Sequence, residues 1–263
     1  MDYIRPVDFA AFPADEFNSQ TLADRSTGLD SCVCLCTRVP PGKRTSIGLH
    51  VHEVDQVYFI LRGHMKVEIA GQEYDAGPRT LVHLPAGVPH LNWNPGTEDE
   101  LHFELLVPSP PKGTSLWHPP AGASLVQAPP SGTLIRPVRE EEFSTEPFAW
   151  VTLKDRASGL GSASLGLFRV LPGGQSPALH AHKFDQIYYV VGGEMQLRIG
   201  FERLSAGADS LVVLPAGMPH ANWNEGPETV VFVNVRVPQP LRSEAEEPWD
   251  IPVGYGANPP EAR

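Results

Sequence analysis

Positive charge is scarce in this sequence: 20 Lys and Arg stand against 31 Asp and Glu, a formal net charge of −11. Such a balance repels phosphate backbones and anionic lipid surfaces, and no local basic patch offsets it, so neither nucleic acid nor membrane is an expected partner. No apolar stretch approaches the roughly 18 residues that span a bilayer. The opening M-D-Y-I-R-P-V-D-F-A-A-F lacks the basic-then-apolar order of a secretion signal, so the expected compartment is the cytoplasm. Cysteine is equally sparse. The three present are packed into C-V-C-L-C (Cys32, Cys34, Cys36), which is no disulfide framework.

Proline and glycine, by contrast, are plentiful: 28 and 24 of 263 residues, punctuating short Val/Leu/Ile-rich runs. That is the pattern of an all-β protein with many turns, and the length suits two domains. The two halves superpose at an offset of about 130 residues. I-R-P-V at Ile4 returns at Ile135, and D-R-S-T-G-L at Asp24 returns as D-R-A-S-G-L at Asp155. From His50 to Asn94 and His180 to Asn224 the alignment has no gap. The duplication predicts an N-terminal domain at 1–108, a Pro-rich linker at 109–132, a C-terminal domain at 133–238 and a Pro-rich acidic arm at 239–263. Each half reads as a β-sandwich or barrel.

The repeat also sorts individual residues. Cys32, Cys34 and Cys36 align with Ala163, Leu165 and Leu167, which predicts buried thiols rather than metal ligands. His64, His83 and His102 align with Glu194, Val213 and Phe232, and His118 lies in the linker, so these four read as structural or exposed. What remains is two matching sets: His50, His52, Gln56 and His90, and His180, His182, Gln186 and His220. On a strand, His-x-His puts both imidazoles on one face, within reach of a single divalent ion. A Pro-x-Gly turn before His90 and His220 would bring the third imidazole beside that strand. A lone His-x-His is as readily two hydrogen-bonded core histidines; its retention in both copies, while Val51 becomes Ala181 and Glu53 becomes Lys183, favours metal.

Each repeat resembles a cupin. The double motif G-x5-H-x-H-x3-E-x6-G and P-x-G-x2-H-x3-N is matched from Gly174 to Gly193 and from Pro215 to Asn224, except that Gln186 stands where Glu is usual. The first copy has the same exchange at Gln56, and its Gly42 lies two residues further from the His pair than the motif asks. The resemblance implies two tandem jelly-roll β-barrels, each binding a divalent transition metal (Fe, Mn, Co, Ni or Zn), up to two per chain. It leaves the reaction open, because cupins include isomerases, cyclases, decarboxylases, dioxygenases and pure binding domains.

Three imidazoles and an amide oxygen are all neutral, so such an ion keeps its full charge and is a strong Lewis acid toward anionic oxygen ligands. The Gln-containing ligand set is similar to that of the bicupin isomerase of the bacilysin pathway. This implies redox-neutral isomerisation or cyclisation of a small oxygenated metabolite: an enol, a keto acid or a polyketide-like molecule. A dioxygenase acting with O2 on an enol or catechol-like substrate is a second reading, and a non-catalytic ligand-binding cupin a third. Tyr58 and Tyr188 are the candidate proton-transfer residues, with a core tyrosine as their plain alternative. Asp55 and Asp185 are either ligand-orienting partners or turn residues. Asn94 and Asn224 are expected to brace the loop after the third His. Glu104 aligns with Asn234, so a carboxylate there cannot serve a mechanism common to both halves. The expected assembly is a monomer whose halves pair like a cupin dimer, or a homodimer.

Overall fold

The computed structural model describes residues 2–45, 47–120, 134–176 and 178–240. In the first repeat the strands are β1 (Ile4–Pro6), β2 (Asn18–Ala23), β3 (Val33–Val39), β4 (Asp55–Arg62), β5 (Met65–Ile69), β6 (Gln72–Ala76), β7 (Thr80–Leu84), β8 (His90–Trp93) and β9 (Glu100–Val107). In the second they are β10 (Ile135–Pro137), β11 (Phe148–Lys154), β12 (Ser164–Val170), β13 (Asp185–Gly192), β14 (Glu194–Ile199), β15 (Glu202–Gly207), β16 (Ser210–Leu214), β17 (His220–Trp223) and β18 (Val230–Val237). Among the described residues no helix is long and apolar enough to cross a membrane.

The strands follow the punctuation of the sequence. In β5 the buried positions are Met65, Val67 and Ile69, the period of two of a sheet with one wet face. Ala70 and Gly71, with φ of 51° and 81°, turn it into β6 with the left-handed backbone that suits a twisted hairpin. Strands β7 and β9 are buried at every position, the pattern of strands without a wet face.

Two jelly-roll barrels result. Among the described residues, the first consists of 8–120 and 134–139 with 158–160, and the second of 2–7, 140–157 and 161–240. The first barrel has a six-stranded sheet, β10-β7-β4-β9-β3-β2, and a three-stranded sheet, β6-β5-β8; the second has β1-β16-β13-β18-β12-β11 and β15-β14-β17. The opening strands are therefore exchanged between repeats. Ile4 pairs with Val212 and Ile135 with Val82, so each six-stranded sheet is finished by a strand from the other copy. The sheets of the first barrel enclose Tyr58, Ile60, Met65, Val67, Val82 and Leu84, and those of the second Tyr188, Val190, Met195, Leu197, Val212 and Phe232.

All three cysteines are fully buried and none forms a disulfide. The stretch expected to be a linker starts as part of the first barrel. Ser109 donates its backbone N–H to Ser31, and Val51 and His118 exchange two backbone bonds of 2.9 Å. The remainder of that stretch, and the arm beyond residue 240, lie outside the described residues.

The glycine that closes the first half of the motif has a steric reason. Gly193 holds φ at 76°, and a Cβ there would stand 2.6 Å from the carbonyl oxygen of Thr229; Gly63 meets Asp99 in the same way. Gly193→Ala is expected to lower stability by about 1–3 kcal/mol through backbone strain alone, before the clash is counted. A denaturant melt would check it, and an unchanged midpoint would refute the assignment.

Candidate metal centres

His50 and His52 do not sit inside a regular strand, as the alternation argument supposed; they occupy a connection held to β8 by an isolated bridge. His50 and His90 exchange backbone bonds of 3.1 and 2.9 Å, and His180 and His220 bonds of 3.0 and 2.7 Å. The turn before the third histidine is pinned from β4 and β13: Asp55 accepts the backbone N–H of Ala86, and Asp185 that of Ala216. The aspartates thus position the loop rather than a ligand. Asn94 and Asn224 brace the far side, each donating to two backbone carbonyls and accepting from a glycine N–H.

The result is two clusters, His50–His52–His90 and His180–His182–His220, all buried, with ligating atoms within 4.8 Å of one another. The Nδ1 atoms of His50, His90, His180 and His220 lie 2.8–2.9 Å from the carbonyls of Gly48, Val88, Ala178 and Met218. His52 Nδ1 bonds the carbonyl of Leu116, in the stretch expected to be a linker. A carbonyl only accepts, so these rings carry their proton on Nδ1 and present the Nε2 lone pair to the cluster.

Gln56 and Gln186 are fixed by the same logic. Gln56 Nε2 donates to Glu104 and Gln186 Nε2 to Asn234, which turns each amide oxygen the other way. Those oxygens, and the Nε2 atoms of His52, His90 and His220, are buried without a hydrogen-bond partner. An orphaned buried acceptor costs about 1–3 kcal/mol, and three neutral imidazoles clustered together, with a neutral amide oxygen as a fourth candidate donor, suit a divalent transition metal. The donor set fits the metal that the motif implies: His50, His52, Gln56 and His90 would hold one ion and His180, His182, Gln186 and His220 the other.

Burial holds the ligand histidines neutral, as metal ligands must be. His90 is pushed well below 6.5 by burial and then by His50 and His52. His182 falls to about 3 through burial, His220, His180 and Arg236, and His220 to about 3 through burial and His180. The unfolded chain therefore takes up protons first as pH falls below 6.5, and metal-free protein should lose stability steadily from there toward pH 3. Thermal melts in chelator between pH 7.5 and 4.5 would show it as a falling midpoint, flatter in His182→Gln/His220→Gln. Equal slopes for both proteins would contradict it.

The other histidines have structural partners. His64 lies 3.1 Å from Asp75 at the surface, His83 lies 3.3 Å from Asp55, and His118 3.5 Å from Glu53. Buried His102 would be lowered by desolvation, but Glu100 at 2.9 Å, with Glu104, outweighs burial and raises it. The two tyrosines are buried. Desolvation raises both phenols, with Glu104 and Glu100 adding to the effect at Tyr58, so at neutral pH each is a hydroxyl donor and not a base.

Beside the second centre the barrel is open. A cavity of about 150 Å³ is lined by His180, His182, Gln186 and Tyr188, with aromatic walls, and an outer cavity of about 540 Å³ shares Trp150, Phe168, Asn234 and Arg236 with it. Glu104, Asn234, Arg236 and the Leu116 carbonyl were not singled out as site groups from the sequence. The alignment did flag Glu104 against Asn234 as a difference; their contact with the glutamines needed the pairing of β4 with β9 and β13 with β18.

The Cupin domain family model matches residues 36–108 and 166–236. No curated protein sequence matches the chain. Among solved structures, oxalate decarboxylase from Bacillus subtilis has a similar fold: TM-score 0.65 at 16% identity, covering 90% of this chain and 77% of that one. A mutant of the same enzyme gives a TM-score of 0.67 at 15% identity, with 89% and 77% covered.

Proposed function

Since the chain belongs to the cupin family in both of its halves, we propose that it is a metal-dependent bicupin enzyme acting on a small oxygenated metabolite by redox-neutral isomerisation or cyclisation. The observation that carries this reading is the pair of buried neutral three-histidine clusters, one in each barrel, each accompanied by a buried glutamine amide oxygen. A divalent ion held by these residues would supply Lewis-acid stabilisation of negative charge developing on a substrate oxygen. The protein's part is positional. Backbone carbonyls lock the histidine tautomers, Glu104 and Asn234 aim the glutamine oxygens, and Asp55 and Asp185 hold the turns that present His90 and His220. At the second centre Tyr188, protonated at neutral pH, is placed to donate a hydrogen bond, while Phe148, Phe168 and Phe232 keep water from the reacting atoms. The substrate is an enol, a keto acid or a polyketide-like molecule, and the protein works in the cytoplasm as a monomer of two barrels or a homodimer.

The test pairs elemental analysis of protein grown with Fe, Mn, Co, Ni and Zn with two assays on a panel of enolisable 2-oxo acids, enols and catechols. Metal-dependent exchange of substrate protons for deuterium, without oxygen uptake, is the expected result. Oxygen consumed in proportion to substrate would replace this reading by a dioxygenase. Bound ligand with neither exchange nor oxygen uptake would leave a binding protein.

A further inference from the structure

The two barrels share a lattice of inward positions but fill it differently. In the first barrel Val33 pairs with Leu106, Leu35 with Glu104 and Thr37 with His102; the matching pairs in the second are Ser164–Arg236, Gly166–Asn234 and Phe168–Phe232. One strand further out, Ser19 faces Thr37 and Trp150 faces Phe168. The first barrel uses these positions to close itself. Val33, Leu35 and Leu106 pack with Val54 into an apolar cluster, and Thr37 donates to Glu104 at 3.2 Å. In the second barrel serine, glycine and arginine replace the three apolar plugs, and the outer cavity of about 540 Å³ lies where they would be. That volume is in the range of small-molecule sites.

The wall of this space has a defined chemistry. The rings of Trp150 and Phe168 lie 5.8 Å apart at 16°, and those of Phe168 and Phe232 5.1 Å apart at 22°, a stacked ladder running inward. Trp150 at its mouth is 56% exposed, an unusual place for so large an apolar side chain unless it serves as a platform. Arg236 sits opposite Gln186 on β13 and lines both cavities. Its guanidinium is suited to paired bonds with a carboxylate. Asp155 and Arg156 at the outer rim balance each other in charge.

We propose that the second barrel is the substrate chamber, and that it takes a planar aromatic or conjugated carboxylate, its acid group between Arg236 and the His180–His182–His220 cluster and its ring along Trp150, Phe168 and Phe232. This rests on the metal-centre reading above and adds the class of ligand and the half that receives it. The first barrel, plugged by Val33, Leu35 and Leu106, is then a structural partner.

The full chain loaded with Zn(II) is titrated with phenylglyoxylate, glyoxylate, oxalate and neutral acetophenone, followed by calorimetry and tryptophan fluorescence, with zinc counted in parallel. Phenylglyoxylate should bind about tenfold or more tighter than either the small acids or the ketone. Arg236→Leu and Gly166→Leu, which install the residues of the first barrel, should each weaken it by about tenfold or more while zinc is retained. Trp150→Ser removes a side chain that is more than half exposed and installs the residue of the first barrel, and it should weaken phenylglyoxylate but not glyoxylate. Two zinc ions with no preference for the aromatic acid, or a preference that survives Trp150→Ser and Arg236→Leu, would overturn the proposal and leave the metal reading standing. Wild-type protein that retains no zinc in the second half would overturn both.

Discussion

Replacing His220 by alanine should remove one metal equivalent per chain and leave the other in place. His220 follows the Pro215–Gly217 turn, its ring is buried and neutral, and its Nε2 has no protein partner. Residues that merely support a metal ligand contribute about 10–100-fold to affinity, and loss of a ligand itself should exceed that. His90→Ala should do the same for the first barrel, and the double variant should hold no metal. Equilibrium dialysis followed by elemental analysis reads all three directly. Two equivalents retained in His220→Ala would show that the second cluster is not a metal centre.

The two equivalents should also differ in affinity. Behind Gln56 stands the carboxylate of Glu104, which draws His50 and His52 toward protonation and would equally attract a cation. Behind Gln186 stands neutral Asn234, and Arg236 repels positive charge from His180 and His182. Chelator competition should therefore strip the second barrel first. Glu104→Gln, which keeps the shape and removes the charge, should weaken the first site by about 10–100-fold. Arg236→Leu should tighten the second. If the two sites release metal together, and Glu104→Gln changes nothing, the charge behind the glutamine is not what sets affinity.

The two histidine clusters were legible in the sequence because duplication filters noise: a histidine kept while Val51 and Glu53 change stands out from its neighbours. The turns were legible for the same reason, since Pro85–Gly87 and Pro215–Gly217 are local signals. What escaped was non-local. Glu104 and Arg236 lie 48 and 50 residues beyond Gln56 and Gln186, and only strand register places them beside the glutamines. Leu116 contributes a main-chain carbonyl, which any residue would supply, so its identity carries no signal. The exchanged strands were invisible for a different reason. Ile4-Arg5-Pro6 and Ile135-Arg136-Pro137 are identical, and nothing in three matching residues tells which sheet edge each will join.

That exchange has a bearing on how the protein is made. The edge of β7 in the first barrel is covered by Ile135–Pro137, so a ribosome must deliver some thirty residues past β9 before that sheet is finished. The strand that will cover β16 is made some two hundred residues before its partner, and it waits through all of that synthesis. A nascent chain stalled near residue 120 would expose one open sheet edge and carry one orphan strand, the features that invite edge-to-edge aggregation.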